Sequence, residues 1–242
     1  MSIWGSLIGG MVGFSLGGPF GMLLGSLIGG KISRARSNNT TSFKSFAQPQ
    51  QIFALSLIVL SAKLSKADGQ VSKEELIAVK DKLKIPENEI EQVGKIFNKA
   101  KEESSDYEPY AKQIAQIYKN NPNILEEVIN ILFYIAEADG NVSQSELNMM
   151  QHIAQIFGLN QSQFNSIKES RKSSDKLNPY IVLESNPNDD LNIIRKKYLQ
   201  LSKEHHPDLL VSKGIPHEVI EESKKKMRAI NSAWDQIQKL KS

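Results

Sequence analysis

Apolar positions change their spacing three times along the 242-residue chain. From Ile3 to Gly30 the run is apolar or small throughout. From Gln51 to about Lys168 apolar residues recur at three- and four-residue steps: Leu57, Leu60 and Leu64; Ile114, Ile117 and Tyr118; Ile131, Ile135 and Ala138. This is the spacing of one face of a helix, and no sustained strand-like alternation interrupts it. Pro86, Pro109 and Pro122 mark helix starts or breaks. Past Asn178 a short apolar turn, Ile181-Val182-Leu183, precedes two longer stripes. Leu191, Ile194, Tyr198 and Leu201 form the first; Ile220, Met227, Ile230, Trp234 and Ile237 form the second. Two antiparallel helices joined by a loop bury such stripes against each other, with the short helix beside them. The pattern predicts an all-α chain in four parts: an apolar segment 1–30, a polar linker 31–50, a helical domain 51–170 and a C-terminal hairpin domain 176–242.

Charge sharpens those boundaries. Residues 1–50 carry four basic and no acidic side chains, residues 51–175 fourteen and eighteen, and residues 176–242 twelve and nine. The net charge of +3 gives no whole-chain case for nucleic-acid binding. Ten of the 15 glycines fall in the first 30 residues, which hold no charged side chain. Gly5, Gly9, Gly13, Gly17, Gly21, Gly25 and Gly29 are four apart, so one helix would carry all seven near one stripe, a glycine zipper against which a second helix packs closely. Leu7, Met11, Phe14, Leu24 and Ile28 lie opposite, suited to lipid. A helix over residues 3–30 would measure about 42 Å, against about 30 Å of hydrocarbon. The expectation is a single transmembrane helix that pairs with a second copy as a homodimer. A hairpin turning at Gly17-Gly18-Pro19 stays open. The basic start and cleavage site of a signal peptide are missing. Lys31, Arg34 and Arg36 follow directly, which places the N-terminus outside and residues 31–242 in the cytoplasm.

The helical domain contains a repeat. Ala67-Asp68-Gly69-Gln70-Val71-Ser72-Lys73-Glu74-Glu75-Leu76 returns as Ala138-Asp139-Gly140-Asn141-Val142-Ser143-Gln144-Ser145-Glu146-Leu147. Ser72 with Glu75, and Ser143 with Glu146, have capping-box spacing. Gly69 and Gly140 suit the left-handed end of the preceding helix. A divalent-cation site at Asp68, Glu75, Asp139 and Glu146 stays open, although neither copy has the alternating oxygen ligands of an EF-hand. The duplicated pattern resembles the TerB (tellurite-resistance-like) helical domain, whose implied activity is poorly defined.

The C-terminal domain carries the sharpest motif. Asn178-Pro179-Tyr180-x-Val182-Leu183 is followed by Ile194-Arg195-Lys196-Lys197-Tyr198, then His205-His206-Pro207-Asp208, then Ile230-Asn231-Ser232-Ala233-Trp234. In this order the segments resemble the J domain of DnaJ-type co-chaperones. An apolar glycine-rich start, a TerB-like middle and a terminal J domain resemble the membrane-anchored DjlA subgroup. The resemblance implies a bacterial inner-membrane protein that docks a DnaK-type chaperone and stimulates its ATP hydrolysis. His206, Pro207 and Asp208 would make the contact, with Arg195, Lys196, Lys197 and Lys203 as the basic docking face. Leu209, where many J domains have Lys, and Gln200 and Glu204 depart from the pattern and would retune docking.

On the residues themselves, Pro207 stiffens the turn, Asp208 offers a carboxylate to an Arg, and a basic face steers toward an acidic surface. Adjacent histidines on a helix diverge by about 100°, which argues against a metal shared by His205 and His206. His152 and His217 stand alone. Lys224-Lys225-Lys226 reads as a solvated face. Absence of Cys excludes disulfides and thiolate chemistry. No nucleotide loop, nucleophile elbow or zinc-protease helix occurs, so the expectation is a regulator of an ATPase, not an enzyme, without cofactor or metal. The competing reading is a membrane-tethered TerB-like stress or signalling scaffold in which the J domain is secondary.

Overall fold

Helical propensity and apolar spacing are realised as helices throughout the computed structural model, which describes residues 18–29, 49–66, 79–81, 83–103, 106–137, 142–213, 215 and 220–241. In chain order the helices are α1 (Gly18–Gly29), α2 (Pro49–Lys66), α3 (Ile90–Glu102), α4 (Glu108–Ile117), α5 (Pro122–Ala136), α6 (Gln144–Ile156), α7 (Gln161–Glu169), α8 (Pro179–Val182), α9 (Leu191–Glu204), α10 (Pro207–Ser212) and α11 (Ile220–Lys241). The described residues contain no strand.

α2 is the hub of the middle domain. Its sequence is apolar nearly all round, and such a helix is stable only when covered on every side. Every residue from Phe53 to Ser65 is buried, packed by α3, α4, α5 and α6. Two of its serines turn their hydroxyls back onto the helix, Ser56 to the Ile52 carbonyl at 2.8 Å and Ser61 to the Leu57 carbonyl at 2.6 Å. Lys63 is buried too; its amine donates to the Glu103 carbonyl at 3.2 Å and lies over the Tyr110 ring.

At the second copy of the repeat, the Ser143 hydroxyl accepts from the Glu146 backbone N–H and the Glu146 carboxylate accepts from that of Ser143, the expected capping box. The first copy, Asp68, Gly69, Ser72 and Glu75, lies outside the described residues, as do Asp139 and Gly140. Among the described residues no group of metal-ligating side chains gathers.

Of the segment expected to form one helix from residue 3 to residue 30, the described part is residues 18–29. α1 begins at Gly18, whose φ of +57° is left-handed, with Pro19 next. Its face of Phe20, Leu23 and Leu24 is buried against α3 and α4, with Phe20 edge-on to Tyr110 and its backbone N–H donating to Gln113 Oε1 at 3.1 Å. Leu24, assigned to lipid from its spacing, thus packs on protein, because it shares the i, i+3, i+4 face of Phe20. α1 has 12 residues, about 18 Å, and no described helix is long and apolar enough to cross a membrane. Gly21, Gly25 and Gly29 lie on α1, and a Cβ at Gly25 would meet nothing within 4 Å; Gly5, Gly9, Gly13 and Gly17 lie outside the described residues.

The C-terminal hairpin has its own core. Ile194 and Leu201 of α9 meet Ala229, Ile230, Ala233 and Ile237 of α11, with Leu177, Val182 and Leu183 alongside. Tyr198 stacks on Trp234, with ring centres 5.1 Å apart. Lys241, near the end of α11, donates to the carbonyls of Pro187 and Asp189 ahead of α9, so the two helices run antiparallel. Two stripe residues fall elsewhere. Leu191 is exposed at the start of α9, and Ile220 joins the core of the middle domain together with Leu210 and Ile215.

Candidate functional site

The turn between α9 and α11 presents two polar residues to solvent. α9 ends at Glu204, and Pro207 opens the six-residue α10, an element absent from the sequence expectation. Proline fits a first helical position because its missing N–H has no helical partner there. His206 is the cap: its Nδ1 accepts the Asp208 backbone N–H at 3.3 Å. The His206 side chain is 53% exposed and that of Asp208 94%, so both reach outward. Arg195, Lys196 and Lys203 are exposed along α9. Lys197 differs: it is half-buried, donates to the Glu184 carbonyl and stands 4.0 Å from the Asp189 carboxylate, which commits it to the loop before α9.

The inward side of the same turn rests on the middle domain. α5 is apolar on the side facing α2, but Asn123, Glu126, Glu127, Asn130 and Tyr134 form a second stripe at i, i+3, i+4, i+7 and i+11. Asn123 Nδ2 donates to the Glu204 carbonyl at 3.2 Å, and its Oδ1 accepts from Lys213 Nζ at 3.0 Å. Glu126 Oε2 accepts from Lys226 Nζ at 2.8 Å and lies 3.3 Å from His205 Nε2. Glu127 accepts from the Ser223 hydroxyl at 2.6 Å. Lys225 Nζ sits 4.6 Å above the centre of the Tyr134 ring.

Spacing along α5 offered a signal for this surface: four polar residues on a helical period within the most apolar part of the middle domain. The reading of Lys224-Lys225-Lys226 as a solvated face is corrected for Lys226, which is 1% exposed. It falls in register with Ser223, Ile230, Ala233 and Ile237, the inward stripe of α11. His205 and His206 diverge as expected, the first buried and the second in solvent. His152, expected to be partly buried or solvated, is partly exposed, with Nδ1 2.8 Å from the Tyr107 hydroxyl.

Burial and charge act against each other at this buried cluster. Burial pushes the Glu126 carboxyl up, but the Lys226 ammonium and His205 outweigh it and hold the group well below the usual carboxylate range. Burial lowers His205, and Lys226 adds to that effect; together they overcome the attraction of Glu126 and leave the imidazole neutral near pH 7.

Comparison with known proteins matches two parts of the chain to family models. Residues 54–169 match the family described as Tellurite resistance protein TerB, and residues 1–39 match the Co-chaperone DjlA transmembrane domain. Over its whole length, the C-terminal hairpin included, the chain aligns with proteins named Co-chaperone protein DjlA. It is 26% identical to that of Photobacterium profundum, with 99% of each chain covered. The Coxiella burnetii protein is 26% identical with 98% of each covered, and the Escherichia coli K12 protein 25% identical over 100% of this chain and 99% of its own. The chain is homologous to the DjlA co-chaperones. No solved structure matches it. The turn carrying His206-Pro207-Asp208 lies beyond both family matches and within the alignments to the DjlA relatives.

Proposed function

We propose that this chain is an inner-membrane co-chaperone whose C-terminal J domain docks on a DnaK-type chaperone and stimulates its ATP hydrolysis. The observation that carries the reading is the exposed His206-Pro207-Asp208 turn beside Arg195, Lys196 and Lys203. Long-range attraction by the three exposed cations speeds encounter with an acidic surface. Asp208 then offers a carboxylate with both oxygens open to an Arg of the partner, a pairing suited to two parallel N–H···O bonds. Pro207 holds its φ, so the turn loses less freedom on docking. DjlA-family co-chaperones are regulators, and the chemistry belongs to the partner ATPase.

Residues 1–30 supply the anchor in this reading, with the N-terminus periplasmic, residues 31–242 cytoplasmic, and two copies paired through the glycine stripe. The match of residues 1–39 and the uncharged first 30 residues support the anchor.

The test is single-turnover ATP hydrolysis by a DnaK-type chaperone with the full chain in detergent micelles. Wild type raises the rate, and Asp208→Asn returns it to the unstimulated value with helical content unchanged. Stimulation by Asp208→Asn at the wild-type level overturns the assignment and favours the scaffold reading.

A further inference from the structure

The exposed turn has both its flanks held by one helix of the middle domain. On the near side are Glu204 and His205, on the far side Leu210 and Lys213, and behind them Ser223 and Lys226 of α11. Asn123 bonds both flanks, to the Glu204 carbonyl and to Lys213. One turn along α5, Glu126 pairs with Lys226 and approaches His205. Leu210, two residues past Asp208, is fully buried in the middle-domain core, as is Ile215. His206, Pro207 and Asp208 therefore form a short outward arch over fixed supports. None of the supports blocks the outward side, where His206, Asp208, Arg195, Lys196 and Lys203 stay open.

We infer that the middle domain is a brace that holds the His206-Pro207-Asp208 arch in its docking pose, with Asn123 and Glu126 as positioning residues. The inference rests on the co-chaperone reading above and adds a role for the TerB-like domain within it. Asn123 and Glu126 are 5% and 4% exposed, so they act through the arch rather than by touching the partner. An arch already ordered spares the partner the cost of ordering it. The brace should therefore change how much co-chaperone is needed and leave the saturated rate alone.

A cleft of about 150 Å³ lined by Glu126, Gln163, Glu184, Lys197 and Glu204 flanks the Glu126–Lys226 pair on one side. A second of about 490 Å³, reached by Asn130, Arg171, Lys225, Lys226 and Arg228, flanks it on the other. Between them the polar hold on the arch rests on Asn123, Glu126 and Glu127, beside the apolar seat of Leu210, Ile215 and Ile220.

Two variants of the full chain in micelles test this: Asn123→Ala, which cuts both flanking bonds, and Lys213→Met, which cuts one and buries no charge. Backbone amides of residues 208–213 should exchange hydrogen faster in both. The concentration for half-maximal stimulation of a DnaK-type ATPase should rise, about tenfold for Asn123→Ala, with the saturated rate unchanged. Unchanged exchange in both variants overturns the brace. Faster exchange with unchanged half-saturation also overturns it, since the hold would then be irrelevant to docking. A fall in the saturated rate alone does so too. Failure of the wild type to stimulate would instead sink the co-chaperone reading, and the hold itself would still be judged on exchange.

Discussion

His205 and His206 are chain neighbours with opposite surroundings. His206 stands in solvent at the head of α10; His205 faces Glu126 of α5, Lys226 of α11 and Glu204 of its own helix. Burial and Lys226 depress the proton affinity of His205 in the folded chain. A folded value below the unfolded one, about 6.5, gives a definite sign. Above pH 6.5 the imidazole is neutral in both states and nothing is lost. Below it the unfolded chain takes up a proton that the folded chain refuses, and stability falls at up to about 1.4 kcal/mol per pH unit from this group. Glu126 is also depressed, but as a carboxyl it loses its contribution only below about pH 4.3; in the interval between, His205 acts against Glu184, whose carboxyl is pushed up by burial and by Glu126 and which therefore gains stability as pH falls. Urea unfolding of the full chain in micelles between pH 7.5 and 5.0 should show the midpoint dropping, and His205→Gln should flatten that drop. An equally steep fall of the midpoint with pH in the variant would contradict the assignment.

At the scale of elements, α5 and α11 are each two-sided, and this explains what sequence alone conveys. The His-Pro-Asp turn, the capping box at Ser143 and the hairpin stripe of Ile194, Leu201, Ile230 and Ile237 are legible because each is set by residues close in sequence. Lys226 is misread from the sequence, although it stands four residues before Ile230, and at 100° per residue that puts it within about 40° of the Ile230 stripe. The partner that makes its burial tolerable, Glu126, lies 100 residues away, and no local pattern announces it. Leu24 is misread for a related reason: like Phe20 and Leu23 it is equally apolar to lipid and to protein, and spacing does not choose between them. The glycine stripe gives α1 a prediction of its own. Open space surrounds the point where a Cβ would project from Gly25, so Gly25→Leu leaves the packing of α1 on α3 and α4 intact while filling the groove a second helix would need. Crosslinking in membranes should fall to background for Gly25→Leu at unchanged expression; retained crosslinking would move self-association to another surface.

For the whole molecule, orientation decides whether the exposed turn can meet a cytoplasmic chaperone. With Lys31, Arg34 and Arg36 following the apolar start, residues 31–242 should lie inside. Protease added to intact spheroplasts should leave the C-terminal domain whole and cleave it only after lysis; cleavage before lysis would reverse the orientation. The folded parts share material. Phe20 from the N-terminal segment and Leu210, Ile215 and Ile220 from the hairpin belong to the same apolar cluster as α2.

That shared cluster sets a timetable for synthesis. The middle domain's last helix ends at Glu169, but its core is filled only when Ile220 has been made. At about 5–20 residues per second, the intervening stretch takes about 3–10 seconds to translate. Through that interval the surface awaiting Leu210, Ile215 and Ile220 is bare on the nascent chain, so a ribosome stalled between residues 170 and 220 would hold a co-chaperone that itself presents the kind of apolar surface chaperones bind.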